Sequence, residues 1–207
     1  MVNVLYDLTA NPYLFKELQT EIDTVAGDSG EWTNAPYDKL LKLDSVLRES
    51  QRMSPPTLTG LKRLFHQPYT FKNGLHIAEG TYVCMPTYTI ENDPEITSNP
   101  ESFDGLRSYR LYKQQQKGDV DDSAKQYLFS SPTKTNLNFG YGKAACPGRF
   151  FASLTIKMLF VKLITEYEFK FLPGTGRPSN LMVHEFLFSW PWQKVLVKRK
   201  QDGACPF

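Results

Sequence analysis

The chain has few of the groups that declare a function at once. Its 207 residues hold only three cysteines and three histidines. No CxxC or HExxH arrangement occurs, which argues against a structural or catalytic zinc. An odd, sparse cysteine count excludes a disulfide scaffold and suits a reducing compartment. No run of 18 apolar residues is free of charge, since Lys157 and Lys162 interrupt the most apolar stretch. No segment therefore reads as a membrane span or a secretory leader. An excess of one charge is lacking too: 24 Lys and Arg against 22 Asp and Glu leave +2. No basic stripe, nucleic-acid motif or internal repeat accompanies that balance, so no nucleic-acid partner is expected. The apolar fraction of 41% and the aromatic fraction of 14% allow a sizeable core, in one domain or two small ones.

Against that background one stretch stands out, Phe139-Gly140-Tyr141-Gly142-Lys143-Ala144-Ala145-Cys146-Pro147-Gly148-Arg149. It reads as a tight, glycine-punctuated loop that presents one cysteine at the start of an apolar helix. Downstream, Phe150, Phe151, Leu154, Ile156, Met158, Leu159, Phe160, Val161, Leu163 and Ile164 are apolar nearly all round the helix. Such a helix is expected to be buried. Its free N–H groups and positive dipole end would face Cys146 and favour negative charge on the sulfur. Gly142 and Gly148 let the backbone approach closely, or take positive φ, on either side. A lone cysteine so placed can be a thiolate ligand to haem iron, an arrangement that favours O–O cleavage. The plainer alternative is a buried structural cysteine after a turn.

Two further pieces lie upstream. Glu49 and Arg52 are three apart in Leu47-Arg48-Glu49-Ser50-Gln51-Arg52, so on a helix they share a face and can pair. Leu40, Leu43, Val46 and Leu47 recur at helical spacing, Pro36 and Asp38 suit a first turn, and Pro55 and Pro56 end the helix. Taken alone, the pair reads as a solvated ion pair of little consequence. The other piece is Asn99-Pro100-Glu101-Ser102-Phe103-Asp104-Gly105-Leu106-Arg107.

Together these motifs resemble the cytochrome P-450 family, the haem-thiolate monooxygenases, and the likeness runs from about Asn3 to about Lys198. The family pattern F-x-x-G-x-[R/H]-x-C-x-G is met by Phe139, Gly142, Cys146 and Gly148. Ala144 departs from it, standing where the family has Arg or His on a haem propionate. The family carries E-x-x-R before its central sheet, as here, and its P-E-x-F-x-P-x-R segment matches with Gly105 in place of the second proline. Cys-Pro-Gly-Arg-Phe-Phe-Ala and Phe-Asp-Gly-Leu-Arg give the likeness a fungal flavour.

The resemblance implies a mainly α fold with small β-sheets (α+β), with residues 1–207 forming the C-terminal, haem-ligand portion of a single cytochrome P-450 domain. It implies haem as cofactor, with Cys146 as proximal ligand and backbone amides near Gly148 bonded to the sulfur. Phe139 would pack against the ligand loop and Arg63 would hold a propionate, with Lys62 or Lys143 partly replacing the group missing at Ala144. Glu49, Arg52 and Arg107 would form a locked network. Thr57, Leu58, Leu61, Phe188 and Trp190 would line an apolar substrate pocket, though core packing explains each of them singly. The whole protein would insert one oxygen atom from O2 into an apolar small molecule, in a fungal secondary-metabolite pathway such as terpenoid tailoring. Electrons would come from NADPH through a cytochrome P-450 reductase at the endoplasmic reticulum membrane, on its cytoplasmic side. The long oxygen-activating helix and the membrane anchor of such proteins are not recognisable in these residues. That favours an alternative in which the chain is a truncated, non-catalytic fragment or decayed copy. Isomerase or peroxygenase chemistry is a third reading.

The remaining pattern fills in the architecture. Asn11 and Pro12 open a helix carrying Phe15, Leu18, Ile22 and Val25, with Gly27 as its stop. From Leu58 to Ile90 the pattern is β, with turns at Asn73-Gly74 and Glu79-Gly80, and Cys84 packing within a strand. Lys113 to Lys134 reads as a long polar surface loop. Strands return at Tyr167–Phe171, Val183–Phe188 and Val195–Val197. Glu166, Glu168 and Glu185 read as solvated carboxylates, Cys205 as a free thiol in a polar tail, and His66, His76 and His184 carry no chemistry.

Overall fold

Leucine and valine recurring every three to four residues build three helices whose apolar stripes meet. The computed structural model describes residues 1–29, 34–116, 121–201, 203, 205 and 206. Leu14, Leu18 and Ile22 of α2 (Tyr13–Ser29) close on Leu43, Val46 and Leu47 of α4 (Leu41–Met53) and on Phe160, Val161 and Ile164 of α7 (Arg149–Glu166). Each of these side chains is at most 1% exposed. Truncating any one to alanine costs about 2–5 kcal/mol. Helix α1 (Val2–Ala10) lies against α4, and Asn11 separates it from α2 by donating through Nδ2 to Asp7 O at 2.8 Å.

Among the described residues the strands form four two-stranded antiparallel sheets: β1 (Gly60–Leu64) with β4 (Tyr82–Met85), β2 (Tyr69–Thr70) with β3 (His76–Ile77), β5 (Tyr167–Phe171) with β8 (Val195–Arg199), and β6 (Leu181–Val183) with β7 (Phe186–Phe188). Gly74 at φ 88° and Gly80 at φ 77° make the two turns read from the sequence. The chain is thus mainly helical with small sheets, the α+β class expected. Distant parts of the sequence meet. Tyr6 Oη donates to Trp190 O at 3.1 Å, across 184 residues. Arg177 Nε donates to Asp7 Oδ1 at 2.8 Å, across 170 residues.

Several local expectations are corrected. Gly27 does not stop α2, which runs on to Ser29, because a glycine weakens a helix without ending it. Pro36 and Asp38 belong to a separate short helix, α3 (Asn34–Asp38), not to the first turn of α4. The β pattern ends before Ile90. Pro86 cannot extend the ladder, and Thr87–Glu91 forms α5, whose Thr87 hydroxyl and Tyr88 N–H both donate to Leu58 O. Cys84 is exposed instead of packed, and Cys205 leans on the core cluster.

The supposed polar loop is partly helical: α6 (Arg107–Gln116) covers its start and a 3-10 helix spans Asp121–Tyr127, while residues 117–120 lie outside the described residues. What orders this polar stretch is anchorage to α4. Tyr109 N–H donates to Ser45 Oγ at 3.0 Å, and Arg48 Nη1 donates to the carbonyls of Gln126 and Leu128.

Helix α7 also differs from its sequence reading. Phe150 is 60% exposed and Phe151 74%, whereas Lys157 is buried. Glu166 is buried too, near Lys162 and Arg199. No helix among the described residues is long and apolar enough to cross a membrane.

Candidate functional site

The cysteine loop is folded by its own backbone. Cys146 N–H donates to Phe139 O at 2.7 Å, Ala144 N–H to Tyr141 O at 3.2 Å, and Ala145 N–H to Gly142 O at 3.1 Å. Gly140 and Gly142 sit at φ 78° and 57°, where an L side chain is strained. At Gly140 the demand is doubled, because a Cβ would come 2.5 Å from Ala144 O. Cys146 is exposed one turn ahead of α7. Pro147 has no N–H, so the next amide along the chain from Cys146 is that of Gly148, which makes no bond among the described residues. Phe139 packs on the core and meets Phe129 edge-on, ring centroids 5.2 Å apart. Arg149 donates through Nη1 to Cys146 O at 2.9 Å, while its buried Nε has no partner among the described residues.

The residues present fit a haem. One exposed sulfur stands on a glycine-shaped ledge, and no group of three or more His, Cys, Asp or Glu suited to a bare metal ion occurs among the described residues. A single thiolate suits an iron whose in-plane ligands come from a porphyrin.

Glu49, Arg52 and Arg107 converge. Arg52 donates to Glu49 through Nε at 3.0 Å and Nη2 at 2.7 Å. Arg107 Nε lies 3.2 Å from both carboxylate oxygens, and Asp104 N–H donates at 3.1 Å. Glu49 is 1% exposed and Arg52 7%, so the solvated-pair reading fails. The arginines also donate to carbonyls of the Asn99–Arg107 segment and its lead-in, including Pro100 O at 2.7 Å and Ser98 O at 2.5 Å, and Arg52 Nη1 donates to Asn92 Oδ1.

Arg63 is exposed on β1, and among the described residues its guanidinium bonds only Lys62 O. Lys62 is taken by Glu185, which also accepts from Thr59 Oγ1. That contact holds Lys62 Nζ above its ordinary pKa and the Glu185 carboxyl below its own. Lys143 is exposed.

The five expected substrate-lining residues fall in different settings, with Thr57 and Leu58 beside the β6–β7 hairpin. Thr57 bridges Phe186, Leu58 N–H donates to Glu185 O at 2.7 Å, and Leu187 N–H donates to Pro56 O at 3.3 Å. Leu61 has φ 48° at a bulge in β1, a strained value for a leucine. Phe188 joins Val4, Leu47, Phe129 and Ile156 around a groove of about 460 Å³. Trp190 lies outside that lining, held through its carbonyl by Tyr6 and packed on Trp192 at 4.9 Å.

Sequence reasoning missed three buried carboxylates. Asp44 holds Lys157 Nζ at 2.5 Å and accepts the Phe129 N–H. Asp7 binds Ser50 Oγ and Arg177, and burial raises its pKa. Glu91 accepts Leu137 N–H and Asn138 Nδ2, both at 2.6 Å. Burial pushes its pKa up to about 7, against the opposing pull of the Leu137 N–H, Arg48 and Asn138. Only an acid in an otherwise apolar helical frame, as at Asp44, could have signalled any of them.

Comparison with known proteins points to one family. A sequence model described as cytochrome P-450 matches residues 1–198. The chain is 36% identical over 205 residues to the cytochrome P-450 monooxygenase terK of Tolypocladium album, covering 98% of this chain and 38% of that protein. It is 38% identical over 200 residues to the monooxygenase olcJ of Penicillium canescens, covering 97% and 36%. It is 34% identical over 203 residues to an ent-kaurene oxidase of Fusarium fujikuroi, covering 97% and 37%. The chain spans little more than a third of the length of these relatives. With a family match over nearly all its residues, the chain belongs to the cytochrome P-450 family.

Proposed function

We propose that Cys146 is the proximal ligand of a haem iron and that the whole protein is a monooxygenase acting on an apolar small molecule. The observation that carries this reading is an exposed cysteine on a glycine-constrained loop, one turn ahead of α7, in a chain that the family model matches over residues 1–198. When bound, a thiolate-ligated haem supplies the chemistry that splits O–O bonds. The chain's own residues prepare for it. The Phe139 carbonyl fixes the Cys146 backbone, and the Gly148 N–H is available to the sulfur and tunes its donor strength. Arg63 keeps guanidinium N–H groups free for a propionate, as an Arg–carboxylate fork requires, and exposed Lys143 can assist where Ala144 offers nothing. Thr57, Leu58, Leu61, Phe188 and Trp190 are the apolar contacts offered to substrate. Electrons come from NADPH through a reductase of the endoplasmic reticulum membrane. The likeness to enzymes named ent-kaurene oxidases supports a terpenoid-like substrate and a secondary-metabolite role.

The test is haemin reconstitution followed by the ferrous carbon-monoxide spectrum. The strongly red-shifted Soret band of thiolate ligation is expected, and Cys146→Ala is expected to lose it. Retention of that band in the variant would overturn the assignment.

One observation favours a second reading, that these 207 residues alone are not catalytic: Phe150 and Phe151 turn outward, leaving apolar surface in water. A purified chain that shows the thiolate band and yields NADPH-dependent product would remove it.

A further inference from the structure

Among the described residues five carboxylates outside the ligand loop are buried, those of Asp7, Asp44, Glu49, Glu91 and Glu166, and one of them grips the chain just ahead of it. Glu91, 4% exposed at the end of α5, accepts the Leu137 N–H on Oε1 and the Asn138 amide on Oε2, each at 2.6 Å. The next residue, Phe139, supplies the carbonyl that accepts the Cys146 N–H at 2.7 Å, and Leu137 O accepts the Gly140 N–H at 2.8 Å. Both hydrogen bonds that start the ligand loop therefore hang from the two residues that Glu91 holds, or from their immediate neighbour. The opposite end of the same segment is held separately, by Asp44 on the Phe129 N–H and by Arg48 on the Leu128 carbonyl. Phe129 and Phe139 then close the segment on itself edge to edge. The helix α5 behind Glu91 is fastened in turn to Leu58, ahead of β1.

We propose that Glu91 is a positioning residue for the haem-thiolate centre: through Leu137 and Asn138 it sets the place of the Phe139 carbonyl, and so the direction in which Cys146 presents its sulfur. This rests on the reading of Cys146 as the iron ligand. A bidentate acceptor is needed because two donors, one backbone and one side chain, must be fixed at once. A group that orients a ligand in this way governs affinity for the bound centre and the electron density of the ligand.

The test uses haem-loaded protein carrying Glu91→Gln, Glu91→Ala, Asn138→Ala or, as control, Glu95→Gln on the exposed surface nearby. Two quantities are read: the share of ferrous carbon-monoxide complex showing the thiolate band instead of the neutral-thiol band, and the rate of haem loss to an excess of a haem-accepting apoprotein. Glu91→Ala and Asn138→Ala are expected to raise the neutral-thiol share and to speed haem loss about tenfold. Glu91→Gln keeps one acceptor oxygen and is expected to fall between wild type and Glu91→Ala, and Glu95→Gln to match wild type. If Glu91→Ala does not fold, Asn138→Ala alone decides, since it removes one bond and leaves the carboxylate in place. Folded variants with an unchanged band ratio and unchanged haem loss would overturn the proposal. A wild-type protein with no thiolate band would instead overturn the ligand reading beneath it.

Discussion

Replacing Glu49 with glutamine changes one atom and removes the only negative charge in a buried cluster of three. Four N–H donors converge on that carboxylate: two from Arg52, one from Arg107 shared between both oxygens, and one from Asp104 N. In Glu49→Gln the new amide turns donors toward donors and leaves two guanidinium groups facing each other with side-chain exposures of 8% and 13%. Breaking a buried pair by removing one partner costs about 3–5 kcal/mol. For a chain of this size each kcal/mol lowers Tm by about 2–4 °C, so a drop of roughly 6–20 °C is expected. Urea unfolding followed by circular dichroism gives the free energy directly, and 0.5 M salt, roughly a tenfold rise over a dilute buffer, should leave the difference nearly unchanged because burial shields the cluster. A loss below about 1 kcal/mol would place the cluster in the range of surface ion pairs and refute the reasoning.

Other outcomes follow from the remaining buried charges and from the loop. Burial raises the Glu91 pKa from 4.5 to about 7, so between those values the folded protein keeps a proton that the unfolded chain has released. Stability therefore falls by about 3 kcal/mol as pH rises from about 4.5 to about 7, then levels off, and Glu91→Gln flattens the slope in a pH series of urea titrations. Lys157→Met strands Asp44 and is expected to cost about 3–5 kcal/mol, while adding Asp44→Asn recovers about 2 kcal/mol of that in a double-mutant cycle. Gly140→Ala combines a positive φ with a clash at Ala144 O and is expected to cost more than about 2 kcal/mol. Gly142→Ala, with open space around it, should cost only about 1 kcal/mol.

The turn of the Phe139–Cys146 loop was legible in the sequence because its glycines are constrained by backbone geometry, which leaves a fixed spacing. The Asn73-Gly74 turn was legible for the same reason. The Glu49 cluster was legible only through resemblance, since three residues of spacing describe a buried pair and a solvated pair equally well. Lys157 was read as an interruption of an apolar helix, yet it is the side chain that points inward while Phe150 and Phe151 point out. Hydropathy cannot see a partner such as Asp44, more than a hundred positions away in the chain. Glu91 escaped notice because Thr87–Glu91 continues a β-like composition, and only the bond from Thr87 to Leu58 O turns it into a helix. The polar run after Arg107 lacks an apolar stripe, and its order comes from hydrogen bonds to α4 that leave no periodic mark.

The two contacts that join Tyr6 to Trp190 and Asp7 to Arg177 also set a clock. At about 5–20 residues per second of synthesis, Tyr6 waits roughly 10–40 seconds for its partner 184 residues downstream to leave the ribosome. Through that interval Asp7 has no guanidinium, β5 has no β8, and the helices already made keep an apolar flank in water. Conditions that slow translation lengthen that exposure without altering a single residue of the finished fold.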